Sequence, residues 1–258
     1  MDSFEVVEQA AGHYYHSAQQ LGIDNRTKAL VMERLVPYLR GPRVLELGFV
    51  DGMFTDRMLA CGVEVHCVEG ARRHIEYGQA KYAGNPRVRF THSLFHEFTP
   101  SESYDTVVAG DMIRYVAHPI AFLSRLSGWL NPGGRLLLTV PNSRSLHRRV
   151  GALMSRDRPP EGEVPLRSPA HPDARDREVG NLRSYDRYEL RDLLQRAGYR
   201  VECLHGAFLK PLSSAQMEGW SDDLLRAFDL LGTELEDYCW FMYAVAFPQG
   251  EAPRDAAL

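Results

Sequence analysis

Apolar residues recur along the chain with two different periods. Between Asn25 and Leu39 they fall at Ala29, Leu30, Met32, Leu35 and Val36, close to the helical repeat. Gly41-Pro42 ends that pattern. Short β-rich runs follow at Arg43 to Leu47, Val63 to Val68, Arg87 to Phe90, Tyr104 to Ala109 and Arg135 to Val140. Gly62, the Gly84-Asn85-Pro86 breaker and the Asn131-Pro132-Gly133-Gly134 turn punctuate them. Helical patterns lie between, notably Pro119 to Leu130. Strands alternating with helices of this length need crossover connections, so the spacing predicts a mainly parallel sheet. The unbroken apolar runs Val107-Val108-Ala109 and Leu136-Leu137-Leu138 fit strands buried on both faces.

After residue 141 the texture changes. Residues 144 to 183 hold nine arginines, six acidic residues and Pro159-Pro160. Such a stretch reads as a solvated insertion or as a lid over a pocket, since long loops in α/β proteins carry specificity. Regular patterns resume with a helix over Tyr188 to Ala197, a strand over Arg200 to Leu209, a mostly helical Ser213 to Leu235 and a last strand over Tyr238 to Phe247. The expected domain spans 1 to 247, with 1 to 24 as a cover segment, 144 to 183 as the lid and 248 to 258 as a tail.

Composition narrows the partners. The chain has 258 residues, 30 basic against 34 acidic, and 44% apolar residues. These values suit a globular protein rather than a disordered one. A net charge of −4 gives no electrostatic footprint for nucleic acid. No apolar run reaches the length of a membrane span, and the acidic start is not a signal peptide, so a cytoplasmic location is expected. The insertion nevertheless carries a local +3, which suits a small anionic ligand. Four cysteines without a CxxC pair read as reduced, with Cys61 and Cys67 lining the core. His13 and His16 stand at i, i+3 without carboxylate partners, so no metal is expected.

The chemistry concentrates after the first strand. Val44-Leu45-Glu46-Leu47-Gly48-Phe49-Val50-Asp51-Gly52 is a strand entering a glycine-containing turn and then a helix. Gly48 lets a ligand approach the backbone, and Gly52 allows a tight turn. Open α/β sheets bind nucleotides at such a place, although a plain β–α turn looks the same. Glu69, 21 residues on, ends the next strand, where a carboxylate accepts both ribose hydroxyls.

These segments resemble the class I S-adenosylmethionine-dependent methyltransferases. Glu46-Leu47-Gly48 with Gly52 is similar to their first motif, and Glu69 to their ribose-binding acid. Tyr104 to Met112 and Asn131 to Gly134 resemble their fourth strand and the turn before their fifth. Two positions depart: Phe49 and Val50 replace a small residue and a glycine, and Tyr115 replaces a common histidine. The resemblance implies a Rossmann-like, seven-stranded sheet with an antiparallel last strand and helices on both faces. It implies S-adenosylmethionine held by Tyr14, Glu46, Gly48, Phe49, Asp51, Gly52, Glu69, Gly70, Ser93, Leu94, Ala109, Gly110, Asp111 and Tyr115. Phe95 suits either the core or the adenine wall. It further suggests Tyr15, Asn142, His147 and Tyr185 as catalytic candidates, with Asn181, Arg183 and Lys210 near the acceptor and His13 as another base.

The expected activity is O- or N-methylation of a small-molecule acceptor in specialised metabolism, by a monomer or a homodimer. An alternative keeps the cofactor but lets its own amine attack its γ-carbon, with Asn142, Asp111 and Tyr185 holding the amine and methylthioadenosine released. A third reading is a non-enzymatic binding partner on the same fold.

Overall fold

Residues 4–5, 7–9, 11, 22–154 and 182–250 are described in a computed structural model. Alternation along the strands decides the layers. In β1 (Arg43–Leu47) Val44 points to one face while Leu45 and Leu47 point to the other. β4 (Tyr104–Gly110) repeats this with Val108 against Val107 and Ala109, and β5 (Leu130–Pro141) with Leu137 against Leu136 and Leu138. Both faces are therefore apolar, and each needs a helical cover.

α1 (Gly22–Leu35), α2 (Met53–Ala60) and α3 (Arg72–Lys81) supply one cover. α1 packs Val31, Met32 and Leu35 there, and α2 packs Met58 and Leu59. α4 (Pro119–Ser127) and α6 (Arg187–Arg196) supply the other, through Phe122, Leu123 and Leu126 and through Leu190, Leu193 and Leu194. Asp186 caps α6 with a capping box, accepting from the Tyr188 and Glu189 amides at 2.9 Å while Glu189 reaches back.

With β2 (Glu64–Glu69), β3 (Val88–His92), β6 (Tyr199–Ala207) and β7 (Phe241–Pro248), the sheet has seven strands in the order β3-β2-β1-β4-β5-β7-β6. β1 to β5 run parallel, and β7 is antiparallel to both β5 and β6. The expected architecture is thus the observed one. Some boundaries differ. The Asn131–Gly134 turn lies inside β5, because Leu130 already pairs with Tyr104 across a register shift. The stretch after Ser213 is not one long helix. It divides into a short 3-10 turn, Ser214–Met217, and α7 (Asp222–Gly232), which Ser221 caps. Cys61 does not line the core: it is exposed at the end of α2, where Gly62 turns the chain.

α5 (Leu146–Met154) opens the arginine-rich stretch, while 155–181 lie outside the described residues. Among the described residues no helix is long and apolar enough to cross a membrane, and no group of three or more His, Cys, Asp or Glu is placed to hold a metal ion.

Candidate active site

The carboxyl ends of β1, β2, β4 and β5 and the start of β7 open into one cavity of about 730 Å³. That volume suits a nucleotide-sized molecule together with a second small ligand.

The floor over β1 and β2 is shaped by the main chain. Gly48 adopts φ +90°, and its amide donates to the Val68 carbonyl at 2.9 Å. Val50 stands at φ +53° and Gly52 at φ +78°. A left-handed conformation is ordinary for glycine and strained for β-branched valine. The Phe49 ring turns away into the core, edge-on to Phe90 at 5.0 Å and to Tyr82 at 6.1 Å. It fits because Gly52 and Gly78 carry no side chain: a Cβ would come within 2.6 Å of it at Gly52 and 2.8 Å at Gly78. The large residue in the first motif is accommodated by a second glycine on α3.

Glu69 closes this floor and is 5% exposed. Its Oε2 accepts from the Phe49 and Val50 amides at 3.1 and 3.2 Å, and its Oε1 from Ala71 at 2.8 Å. His74 Nδ1 lies 3.3 Å from Oε2. Burial alone would raise this carboxyl, but His74 and the amides outweigh it and hold it below the usual carboxylate range. An ionised group thus lines the cavity, with Oε1 free to accept a further hydrogen bond. His74 adds a buried Nε2 with no partner among the described residues, on the same wall. An unfilled donor or acceptor beside a carboxylate suits a polyhydroxylated ligand such as a ribose.

Glu46 is different. It is buried against α2, accepting from Thr55 Oγ1 at 2.5 Å and Cys67 Sγ at 3.4 Å. Burial pushes its carboxyl up to about 8, so it is neutral at pH 7. Asp51 turns to the α2 terminus, where Oδ1 accepts from the Met53 amide at 3.0 Å. Ser93 and Leu94, with Phe95, form the wall beyond β3, and Gly70 sits between Leu94 and Val7. At the end of β4, Gly110 leaves room for the Phe54 ring, 2.6 Å from where a Cβ would be. Asp111, at φ +54°, does not present a free carboxylate: Arg114 holds it at 2.9 and 3.0 Å and stacks on Tyr115.

Of the expected cofactor residues, Glu46, Gly48, Phe49, Asp51, Glu69, Gly70, Ser93, Leu94, Gly110, Asp111 and Tyr115 line the cavity. Gly52 and Ala109 stand behind it, shaping the turn and the strand. Tyr14, Tyr15, His13, His16 and Asn181 lie outside the described residues, but Val7 and Ala11 of the N-terminal segment do reach the wall.

Among the described residues, the catalytic candidates Asn142, His147 and Tyr185 are not assembled in the cavity. Asn142 is 1% exposed, and its amide donates to the Asp237 and Cys239 carbonyls at 2.9 and 3.0 Å. Tyr185 bridges to it through the backbone, with its hydroxyl buried and its pKa pushed up to about 12 by burial. His147 lies in the first turn of α5, where burial, then Lys210 and Arg148, push its imidazole down to about 3. Arg183 donates to the Ala117 carbonyl and borders a smaller side cleft.

The opposite wall comes from residues that no local motif marked. Asp24, Lys28 and Val31 share one face of α1, at i, i+4 and i+7. Trp240 and Phe241 at the start of β7, Pro141 at the end of β5 and Arg148 on α5 face them. Lys210 sits behind this wall, 3.1 Å from Asp24 Oδ1 and 3.9 Å above the Trp240 ring.

An open sheet in this strand order, with a glycine turn after β1 and a buried acid ending β2, defines a Rossmann-like methyltransferase fold. The chain belongs to the methyltransferase-domain family, whose model matches residues 20–204, and to its S-adenosylmethionine-dependent class I. It is 28% identical over 194 residues to a probable S-adenosylmethionine-dependent methyltransferase of Mycolicibacterium smegmatis, covering 73% of this chain and 65% of that one. It is 25% identical over 158 residues to the mitochondrial ubiquinone biosynthesis O-methyltransferase of Homo sapiens, covering 57% and 43%. The matched segment is thus less than half of the human enzyme's length. A glycopeptide N-methyltransferase solved with S-adenosylmethionine shares the fold at a TM-score of 0.57 and 17% identity, over 86% of this chain and 87% of that one.

Proposed function

We propose that this protein transfers the methyl group of S-adenosylmethionine to an oxygen or nitrogen of a small-molecule acceptor in specialised metabolism. The observation that carries the reading is the buried, ionised Glu69 set against the left-handed Gly48 turn. Its free lone pair and the unpartnered His74 Nε2 suit ribose hydroxyls, while the Ser93–Phe95 segment offers an apolar wall for adenine. When bound, the cofactor supplies an electrophilic methyl group on a cationic sulfur. The protein's share is to align the acceptor, exclude water and receive one proton. The +3 stretch and the arginines and lysine of the cavity favour an anionic acceptor. A relative named for ubiquinone biosynthesis fits a small acceptor, and the near-neutral chain gives no groove for nucleic acid.

The intramolecular cyclisation has less support. Asn142 and Tyr185 point away from the cavity, and Asp111 is tied to Arg114, so no trio converges on an amine. Incubation with S-adenosylmethionine and analysis of the adenosyl product separates the two. Acceptor-dependent S-adenosylhomocysteine is expected, and methylthioadenosine without acceptor would overturn the proposal.

A further inference from the structure

The cavity continues from the Gly48 and Glu69 floor to the α1 and β7 side, and that side has its own chemistry. Its walls are flat and apolar: Trp240 and Phe241, whose rings meet at 4.6 Å, with Val31 and Phe54. Three charged side chains stand on it: Arg148 from α5, and Asp24 and Lys28 one helical turn apart on α1. Lys28 is half-buried and makes no hydrogen bond or ion pair among the described residues. Asp24 is held rigidly: its Oδ1 accepts from Lys210 Nζ at 3.1 Å and from Ser214 Oγ at 2.6 Å. Its Oδ2 has no partner among the described residues. Lys210 is 4% exposed, fixed over Trp240, and serves the carboxylate from behind.

An unpaired, half-buried ammonium calls for an anion, and a carboxylate with one committed and one open oxygen calls for a donor. Flat rings between them call for a planar ligand. We propose that this half of the cavity is the acceptor site and that it takes a small aromatic acid. Lys28 binds the acid's carboxylate, Trp240 and Phe241 together form one wall against its ring, and Asp24 Oδ2 receives the hydrogen of its reactive hydroxyl or amine. In the transfer, the acceptor's lone pair forms a bond to the methyl carbon. The methyl–sulfur bond breaks with its electron pair going to sulfur, and the acceptor's proton passes to Asp24. The inference rests on the methyltransferase reading for that last step, but the aromatic-acid subsite stands without it.

The test uses 4-hydroxybenzoate and its neutral methyl ester, titrated calorimetrically into the full chain with and without S-adenosylhomocysteine. The acid is expected to bind at least about tenfold more tightly than the ester, and Lys28→Met to abolish that preference. S-adenosylhomocysteine affinity should stay within about twofold in that variant. Equal binding of acid and ester, no binding of either, or a preference that survives Lys28→Met would overturn the subsite. A loss of S-adenosylhomocysteine affinity in Lys28→Met would overturn it too, assigning the lysine to the cofactor's own carboxylate. Asp24→Asn keeps an oxygen for Lys210 and Ser214 but removes the counter-charge of a buried ammonium, so a lower melting temperature is expected; it is assayed well below that temperature, with S-adenosylhomocysteine affinity within about twofold as the check that the fold holds. Methyl transfer to 4-hydroxybenzoate, 3,4-dihydroxybenzoate or 4-aminobenzoate should then fall about a hundredfold in kcat, with KM within about threefold. An unchanged kcat, or no transfer to any acid that binds, would overturn the role of Asp24. Failure of the methyltransferase reading looks different: the wild-type chain would not bind S-adenosylhomocysteine, whatever the acid does.

Discussion

The two halves of the cavity are built by different means. On the β1 and β2 side the backbone itself is the site: Gly48, Val50 and Gly52 are left-handed, and Glu69 fixes the loop by accepting two of its amides. On the α1 and β7 side a left-handed residue, Phe208 at φ +59°, stands behind the wall, where its carbonyl accepts from the Trp240 amide at 2.8 Å, and the lining consists of side chains brought together from far apart in the sequence. Asp24 meets Lys210, and Lys28 faces Trp240 and Arg148. A main-chain site tolerates few substitutions and binds one constant ligand. A side-chain site can change its ligand by single substitutions without disturbing the fold.

The sharpest way to break that contrast is a single methyl group. Gly52→Ala adds a Cβ 2.6 Å from Phe49 and 2.7 Å from the Tyr82 hydroxyl, at φ +78°. It should destabilise the protein by about 2–4 kcal/mol and lower the melting temperature by roughly 5–10 °C. Lys28→Met, on the other wall, should change stability by less than about 0.5 kcal/mol, because that side chain holds nothing in place. Comparable losses from both, read by thermal unfolding, would erase the distinction. Next in size is Glu69→Ala. It removes an acceptor for the ribose and the anchor of the loop, so S-adenosylhomocysteine should bind roughly ten- to a hundredfold more weakly by calorimetry. Aromatic-acid binding to the unloaded chain should be unaffected.

The same contrast explains what could be read from the sequence. That the β1 and β2 ends line the cavity was legible because the parts are contiguous: a strand, two glycines and an acid at fixed spacing leave a local signature. The sheet was legible for a similar reason, since unbroken apolar runs such as Leu136 to Leu138 require covers on both faces. Phe49 is where local reading stopped. Its fit depends on Gly78, 29 positions away and silent in any turn or helix pattern. The acceptor half left no signature at all. Asp24 fell at the end of the expected cover segment, Lys28 in the helical pattern from Asn25, and Trp240 in the last strand. Asn142 and Tyr185 had suitable chemistry and the right topological end. The Asn142 amide is drawn inward by the Asp237 and Cys239 carbonyls, and the Tyr185 side chain is buried in the core, placements that only the fold reveals.

A smaller effect tests both halves through pH. Burial pushes the His66 imidazole on β2 down to about 4, where it bridges Tyr104 and Thr91 at 2.6 and 2.7 Å. Burial likewise holds His147, in the first turn of α5, at about 3. The unfolded chain protonates both near 6.5, and the folded one does not. Stability contributed by the neutral rings is therefore present above about 6.5 and lost as pH falls toward the folded values. The expected loss is about 1–2 kcal/mol for each, after allowance for water at the half-buried His66. Glu69, whose carboxyl is depressed, adds its own loss only at lower pH, as it becomes protonated. Melting curves at pH 7.5 and 4.5 should show a smaller drop for His66→Gln and for His147→Gln than for the wild type. Drops equal to the wild type's in both variants would mean that neither ring is held neutral.

The smallest effect bears on the premise of the comparison, that the β1 loop is left-handed at a valine. Val50 lines the cavity and is 38% exposed, so its side chain contributes little packing. Truncation to alanine removes that packing but keeps the strain of φ +53°. Truncation to glycine removes the strain as well, at the expense of a more flexible unfolded chain. The two changes share everything except the Cβ, so their difference isolates the backbone term. Val50→Gly should be more stable than Val50→Ala by about 1 kcal/mol, a gap of roughly 2–4 °C in melting temperature. It should also bind S-adenosylhomocysteine at least as well, because the amide that Val50 gives to Glu69 stays in place. If alanine matches glycine, the loop does not hold the left-handed turn in solution. The cofactor half would then depend on its side chains as much as the acceptor half does.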